Sequence, residues 1–258
     1  MKLWHMSGAG NDFAVLDARG QQLDLEALAK KYCAQFHTDG FLALDVSEQA
    51  DFRLHFYNPD GLRGEMCGNG ARCICKFARD LGLVGDRMLV QTDAGLLRGW
   101  YQGGDRYKLQ LHMMLSLDPN RREDAAYLEL GDPGIPHSVT FLEQVDYRQK
   151  EALRPYAMEI RHDPVFPKGV NVNFCQLLDD THARILTYER GVEDFTQACG
   201  TGSVSVAALM WYRRGCGGQG VFQVENPGGL LTVTVEGGNR IDGLYLEGPA
   251  VTVGEYEI

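Results

Sequence analysis

CGNGARCICKFARDLG (67–82) and CGTGSVSVAALMWYRRG (199–215) open alike and stand 132 residues apart in a chain of 258. The same displacement lays FRLHFY (52–57) on RILTYE (184–189). Each copy reads as an apolar strand, a turn, a Cys-Gly-x-Gly step and a helix that closes on glycine, Gly82 or Gly215. A Gly-Leu-Leu strand start follows each, in AGLL (94–97) and GGLL (228–231). An offset of half the chain means two halves of one design. In the first helix Ile74, Phe77, Ala78 and Leu81 share a face opposite Arg72, Lys76, Arg79 and Asp80, which reads as amphipathic. The second, Val204–Tyr212, is apolar nearly all round and is predicted to be deeply buried.

Outward from these blocks, 31 glycines separate short β-branched runs. Strands are predicted over Lys2–His5, Phe13–Leu16, Phe41–Leu44, Phe52–Tyr57, Met88–Thr92, Leu96–Trp100 and Tyr107–His112. Further strands are predicted over Tyr127–Leu130, His137–Leu142, Val170–Leu178, Arg184–Tyr188, Val221–Val224, Leu231–Val235 and Leu244–Glu247. Only one more helix is expected, over Leu25–Cys33 with Asp24 as its cap. So many strands with so few helices predict a mostly antiparallel α+β architecture rather than a doubly wound parallel sheet. SLDPNRRED (116–124) reads as the linker between domains, giving an N-terminal half 1–116 with Cys67 and a C-terminal half 117–258 with Cys199.

The composition, 44% hydrophobic and 23% charged, is that of a globular chain with a real core. No run of about 18 apolar residues is present, which argues against a membrane helix. In the start, MKLWHMSGAGND, Asp12 falls where a signal peptide needs apolar residues, so a cytoplasmic location is expected. Seven cysteines, an odd number, then read as reduced thiols. With 35 acidic residues against 25 basic ones and no basic run longer than two, nucleic acid is not expected as a partner.

A Cys-Gly-x-Gly turn before a helix can serve close packing alone, and free cysteine is often buried. Its duplication at one offset favours chemistry. The first turn of a helix offers unpaired amides and the positive end of the dipole, which favour a thiolate and hold a substrate carboxylate. The dipole contributes about 0.3–2 kcal/mol. Amides around a carboxylate that becomes enolate-like contribute more, about 3–4 kcal/mol for one donor. Two thiols suit inversion of a stereocentre, one removing a proton from one face and the other delivering a proton to the opposite face. Close like charges disfavour two thiolates, so one thiolate and one thiol is the resting state expected. A different class of reading, a thiol redox or metal-binding protein, is disfavoured because neither cysteine has CxxC or Cys/His spacing. The remaining five, Cys33, Cys73, Cys75, Cys175 and Cys216, read as structural.

SGAGNDF (7–13), TDG (38–40), YNPDG (57–61), EMCGNGAR (65–72), PHSV (136–139), GVNVNF (169–174), YERG (188–191), TQACGTG (196–202), NPGGLL (226–231) and EGPA (247–250) together resemble the diaminopimelate epimerase family. The match runs in order from end to end. It implies an epimerase of LL- to meso-diaminopimelate that needs neither pyridoxal phosphate nor metal. It further implies two pseudosymmetric β domains, each wrapped around a central helix, an active site in the cleft between them, and a homodimer. Carried onto this sequence, Cys67 and Cys199 are the acid/base pair, and the amides of Gly68, Asn69, Gly200 and Thr201 hold the reacting carboxylate. The resemblance gives Asn11, Asn58, Asn171 and Arg190 the non-reacting end of the substrate, and Glu189 and His137 the assistance of the thiols. Asn58 and Arg190 also stand at equivalent places under the 132-residue offset. The sequence departs from the family at Ile135, where Asn before Pro-His is usual, and at Phe195, where an acid is usual. Both changes are expected to make the site less polar, which keeps racemisation of another amino acid open as an alternative.

Overall fold

The computed structural model describes residues 1–64, 66–111, 114–131 and 134–258. Glu65, which opens the EMCGNGAR block, and His112, the expected end of the Tyr107–His112 strand, lie outside the described residues. The chain forms two compact units, residues 1–110 with 247–258, and residues 111–246.

In the first unit β1 (Lys2–Gly8) and β2 (Asn11–Asp17) form an antiparallel hairpin. Helix α1 (Leu25–Phe36) carries the chain to β3 (Gly40–Asp45), parallel to β2, and β3 returns antiparallel as β4 (Phe52–Tyr57) and the short β5 (Arg63–Gly64). Helix α2 (Gly68–Asp80) crosses to β6 (Arg87–Thr92), parallel to β4, which runs on antiparallel into β7 (Gly95–Gly103) and β8 (Arg106–Gln110). After β9 (Met114–Arg122) the second unit repeats this path. β10 (Ala125–Leu130) and β11 (Ile135–Phe141) form the hairpin, and α3 (Lys150–Arg161) crosses to the parallel β12 (Asn171–Leu177). β13 (His182–Glu189) and the short β14 (Asp194–Phe195) follow antiparallel, and α4 (Gly200–Arg213) crosses to the parallel β15 (Gly218–Asn226). β16 (Gly229–Gly237) pairs antiparallel with β15, and β17 (Ile241–Pro249) and β18 (Val251–Glu257) complete the chain. Pairing is therefore mostly antiparallel, and the parallel pairs occur where a helix supplies the crossover such pairs need.

The predicted boundary differs from this division. SLDPNRRED is no linker: most of it is β9, paired with β10 inside the second unit. The C-terminal segment belongs to the first unit, where β18 pairs with β1 from Lys2↔Glu257 to Ser7↔Val251. Unpaired backbone along β1 and β10 would be costly, and each outer edge is covered by a strand that follows the opposite repeat.

Each unit holds two helices for different reasons. On β2 and β3 the runs FAVL (13–16) and FLAL (41–44) are buried throughout, so both faces of these strands are covered. Alternation sends Ala14, Leu16, Phe41 and Ala43 to Ala29, Tyr32 and Cys33 of α1. α1 is capped by Asp24, whose carboxylate accepts from Ala27 N at 3.1 Å, and it runs past the predicted Cys33 to Phe36. α3 was not anticipated, although Leu153, Tyr156, Ala157 and Ile160 are spaced to share a face; they pack with Val172, Phe174, Leu186 and Tyr188. Pro155 inside that helix masks the pattern.

α2 packs against β1, β2, β3, β4, β7 and β8, and α4 against β10, β11, β12, β13, β15 and β16, so each is the central helix of its unit. α4 is buried from Gly202 to Trp211 as predicted, with Tyr212 emerging. The amphipathic reading of α2 fails at Arg72, which is wholly buried because its guanidinium finds oxygen acceptors inside the unit. Among the described residues, no helix is long and apolar enough to cross a membrane.

Candidate active site

Cys67 and Cys199 are the N-cap residues of α2 and α4, with nearly the same extended backbone: φ −126° and ψ 120° at Cys67, φ −112° and ψ 109° at Cys199. The first intrahelical bonds are Ala71 N to Cys67 O at 2.7 Å and Ser203 N to Cys199 O at 2.9 Å. The amides of Gly68, Asn69 and Gly70, and of Gly200, Thr201 and Gly202, therefore precede the helical ladder, at the end of a helix that suits an anion.

In the second unit the cysteine is fixed from several sides. Cys199 Sγ accepts from Gly202 N at 3.4 Å and lies 3.6 Å from Thr201 Oγ1. Cys199 N donates to Asn226 Oδ1 at 3.4 Å, and Ser203 Oγ donates to Cys199 O at 2.9 Å. Asn226 Nδ2 in turn bonds Ser203 Oγ and Val224 O, both at 3.1 Å. Gly202 must be glycine: a Cβ there would lie 2.3 Å from Asn173 Oδ1 and 3.2 Å from Thr187 Oγ1.

These contacts lead into a polar layer on the α4 side of β11, β12 and β13. Asn173 pairs in register with Thr187, and His137 with Asn171. Thr187 Oγ1 donates to Asn173 Oδ1 at 2.9 Å and Asn173 Nδ2 donates to Ser138 O at 2.8 Å, which fixes the amide. Its nitrogen then faces His137 Nδ1 at 3.2 Å, so that ring nitrogen accepts and the proton sits on Nε2. Nε2 is buried with no partner among the described residues. Burial, and secondarily the charge of Arg190, push the His137 pKa down to about 3, so the imidazole is neutral near pH 7. Asn171 Oδ1 accepts from Arg190 N at 2.8 Å while its Nδ2 donates to Pro136 O at 3.2 Å. Arg190 Nη1 donates to Lys168 O at 2.9 Å, and Glu189 ends β13 beside it.

In the first unit, Asn69 Nδ2 donates to Asn11 Oδ1, joining two of the anticipated residues directly. Asn11 Nδ2 donates to Asp39 Oδ2 at 3.4 Å, which also accepts from Asp12 N at 2.9 Å. Asn58 sits in the turn after β4, where its backbone bonds Leu62 and Gly61. Behind Asn69 stands Arg72, whose Nη2 donates to Asn69 Oδ1 at 2.7 Å.

The sequence reading did not single out Asn173, Thr187, Asn226 or Arg72. Period-two alternation carried the signal for the first two, since NVNF puts Asn171 and Asn173 on one face and TYE puts Thr187 and Glu189 on another. Phe195, expected to make the site less polar, lies in the α3-side core, edge-on to Tyr188 with centroids 5.3 Å apart. Ile135 begins β11 and pairs with Leu130. Burial drives the thiols of Cys73, Cys75 and Cys175 up to about 12 and raises that of Cys33. Among the described residues no group of three or more His, Cys, Asp or Glu could hold a metal ion. Two surface cavities, of about 490 Å³ beside Asp24 and about 270 Å³ beside Trp211, contain none of the anticipated site residues.

Comparison with known proteins bears on this geometry. A family model described as diaminopimelate epimerase matches residues 3–110 and 131–253. The chain is 36% identical over 255 residues to a diaminopimelate epimerase of Chlorobaculum tepidum, spanning 96% of this chain and 97% of that protein. It is 34% identical over 238 residues to a diaminopimelate epimerase of Aquifex aeolicus, spanning 83% and 82%. Two solved structures share the fold at low identity. One is a Bacillus anthracis phenazine biosynthesis protein of the PhzF family, with TM-score 0.79, 16% identity and coverage of 100% of this chain and 98% of that one. The other is a probable proline racemase from Agrobacterium radiobacter, with TM-score 0.74, 15% identity and coverage of 100% and 92%.

Proposed function

We infer the reaction from the family: the chain belongs to the diaminopimelate epimerases, and it is an isomerase that interconverts LL- and meso-2,6-diaminopimelate, a step of lysine biosynthesis. The observation that carries the assignment of residues is the pairing of Cys67 and Cys199, each the N-cap of its unit's central helix with the same extended backbone. One of them, as thiolate, takes the α-proton from one face of the substrate. The other, as thiol, gives its proton to the opposite face, and the two have then exchanged protonation states. No proton is lost overall, and the reverse reaction uses the same groups with roles interchanged.

The amides of Gly68, Asn69, Gly200 and Thr201 hold the reacting carboxylate and stabilise the charge that spreads onto it. Asn11, Asn58, Asn171 and Arg190 hold the non-reacting end, where an arginine suits a carboxylate. Glu189 assists proton handling at the thiols. His137, neutral and protonated at Nε2, is a hydrogen-bond donor in this reading and not a base. The chain works as a homodimer in the cytoplasm, which sedimentation of the purified protein and fractionation of cells would test.

The central experiment is α-proton exchange in deuterated water without pyridoxal phosphate or added metal. LL-diaminopimelate should gain deuterium with inversion, and Cys67→Ser and Cys199→Ser should each slow inversion about 10²–10⁴-fold. Inversion at the wild-type rate by both single variants would sink the two-thiol assignment while leaving the family untouched.

A further inference from the structure

Arg72 heads the wholly buried side chains by volume. A guanidinium in such a place needs acceptors in every direction it points. Nη2 donates to Asn69 Oδ1 at 2.7 Å, Nε to Pro249 O at 3.3 Å and Nη1 to Gly68 O at 3.4 Å. None of these three acceptors carries a charge. Burial brings Arg72 down to about 10, still protonated at neutral pH, while the Cys73 and Cys67 side chains, when ionised, favour its charged form. The contact with Asn69 also decides the next step outward. With its oxygen turned to Arg72, Asn69 points its amide nitrogen the other way, and that nitrogen donates to Asn11 Oδ1. Under the 132-residue offset the equivalent of Arg72 is Val204, so the second unit has no such group on its helix.

We propose that Arg72 is a positioning residue for the Cys67 half of the site: it orients Asn69 and, through it, Asn11 toward the substrate, and its buried positive charge favours the thiolate of Cys67. This rests on the reading of Cys67 as an acid/base thiol. Among the described residues, the other ionisable groups around the start of α2 are Cys73 and Cys75 on the helix, Asp12 on β2 with its partner His5 on β1, Asp39 before β3, and Arg106 on β8 with its partner Glu247. Asp12 and Asp39 oppose a thiolate, and Arg72 is the cation placed on the helix itself to offset them.

The test uses full-length enzyme carrying Arg72→Lys, Arg72→Met or Asn69→Ala. Alkylation of Cys67 by iodoacetamide is followed against pH by peptide mass spectrometry, with Cys199 in the same digest as internal reference, and kcat and KM are measured for diaminopimelate. In Arg72→Met the midpoint for Cys67 should rise by about one pH unit with Cys199 unmoved, and KM should rise about tenfold. Arg72→Lys should keep the midpoint, since the charge remains. It should still show the higher KM, because an ammonium does not reproduce the planar fork that reaches Asn69 and Pro249 together. Asn69→Ala should raise KM and leave the midpoint alone, which decides the positioning role if Arg72→Met does not fold. An unmoved Cys67 midpoint in Arg72→Met, equal shifts at both cysteines, or wild-type KM in Arg72→Lys or Asn69→Ala would overturn the proposal. Failure of the two-thiol reading is a separate result: inversion by Cys67→Ser at wild-type rate, whatever the alkylation curves show.

Discussion

At the start of α2 the polar support is on the helix, in Arg72 and Asn69, and the ground beneath Gly70 is apolar, formed by Leu42 and Phe13. At the start of α4 the arrangement is inverted. The helix carries Val204 where α2 has Arg72, and the strands beneath supply Asn173, Thr187, His137 and Asn226. The N-cap backbone is nearly the same in both. The Cys-Gly-x-Gly step fixes a local conformation, and either a charged helix or a polar sheet can hold it in place. Equal geometry at two thiols therefore does not mean equal electrostatics around them.

The largest expected difference between the halves concerns His137, whose place in register beside Asn171 is taken in the first unit by Phe13 beside Gly40. Its pKa is about 3 folded against an ordinary 6.5, so the unfolded chain takes up the proton first. The contribution to stability is full above pH 6.5 and is lost as pH falls toward 3. The slope is up to about 1.4 kcal/mol per pH unit, and the total is about 3–5 kcal/mol. Urea unfolding across this range should show a shallower loss for His137→Gln than for wild type. Equal slopes would mean that the ring is not held neutral in the fold.

Smaller in size is the contrast between Gly202→Ala and Gly70→Ala. The added Cβ meets Asn173 Oδ1 at 2.3 Å in one case and the flexible end of Leu42 at 3.0 Å in the other. We expect a loss of about 2–3 kcal/mol for the former and about 1 kcal/mol or less for the latter in denaturant unfolding. Comparable losses would erase the distinction between polar and apolar ground. Smaller again is the effect of Asn226→Ala, which removes the side chain holding Cys199 N and Ser203. It should lower kcat about tenfold, or about 1.4 kcal/mol. Thr92 stands at the corresponding hairpin position of the first unit, and its hydroxyl bonds Gly95 O and Ala94 N within the turn itself, so Thr92→Ala should stay within about twofold of wild type. Steady-state kinetics on the pair would show whether the second thiol alone depends on its hairpin.

Most of the strands were legible because short β-branched runs between glycines leave little else to form. Besides the two-residue strands β5 and β14, three longer elements were not. α3 was hidden by Pro155 inside an otherwise regular apolar spacing. β9 was disguised by Pro119, Asn120 and a run of charges that read as loop. β18 alternates too weakly to announce itself, and it is a strand because β1 offers it an edge. In the site, the cysteines and the glycines beside them stood out through repetition. Arg72 did not, since a helical arginine opposite an apolar stripe looks solvated until its acceptors, one of them 177 residues away at Pro249, are known.

The sequence by itself determined the two-fold design, the central helices, the pair of thiols and the family, because these follow from spacing and from residue types that tolerate few conformations. Tertiary structure alone decided that the last strand returns to the first unit, that Phe195 is core, that Arg72 is buried, and that His137 carries its proton on Nε2. Each of these depends on a partner distant in sequence: the edge of β1, the core that α3 and β12 form around Phe195, the oxygen of Pro249, the amide of Asn173. Burial and protonation are properties of surroundings, and a chain acquires its surroundings only on folding.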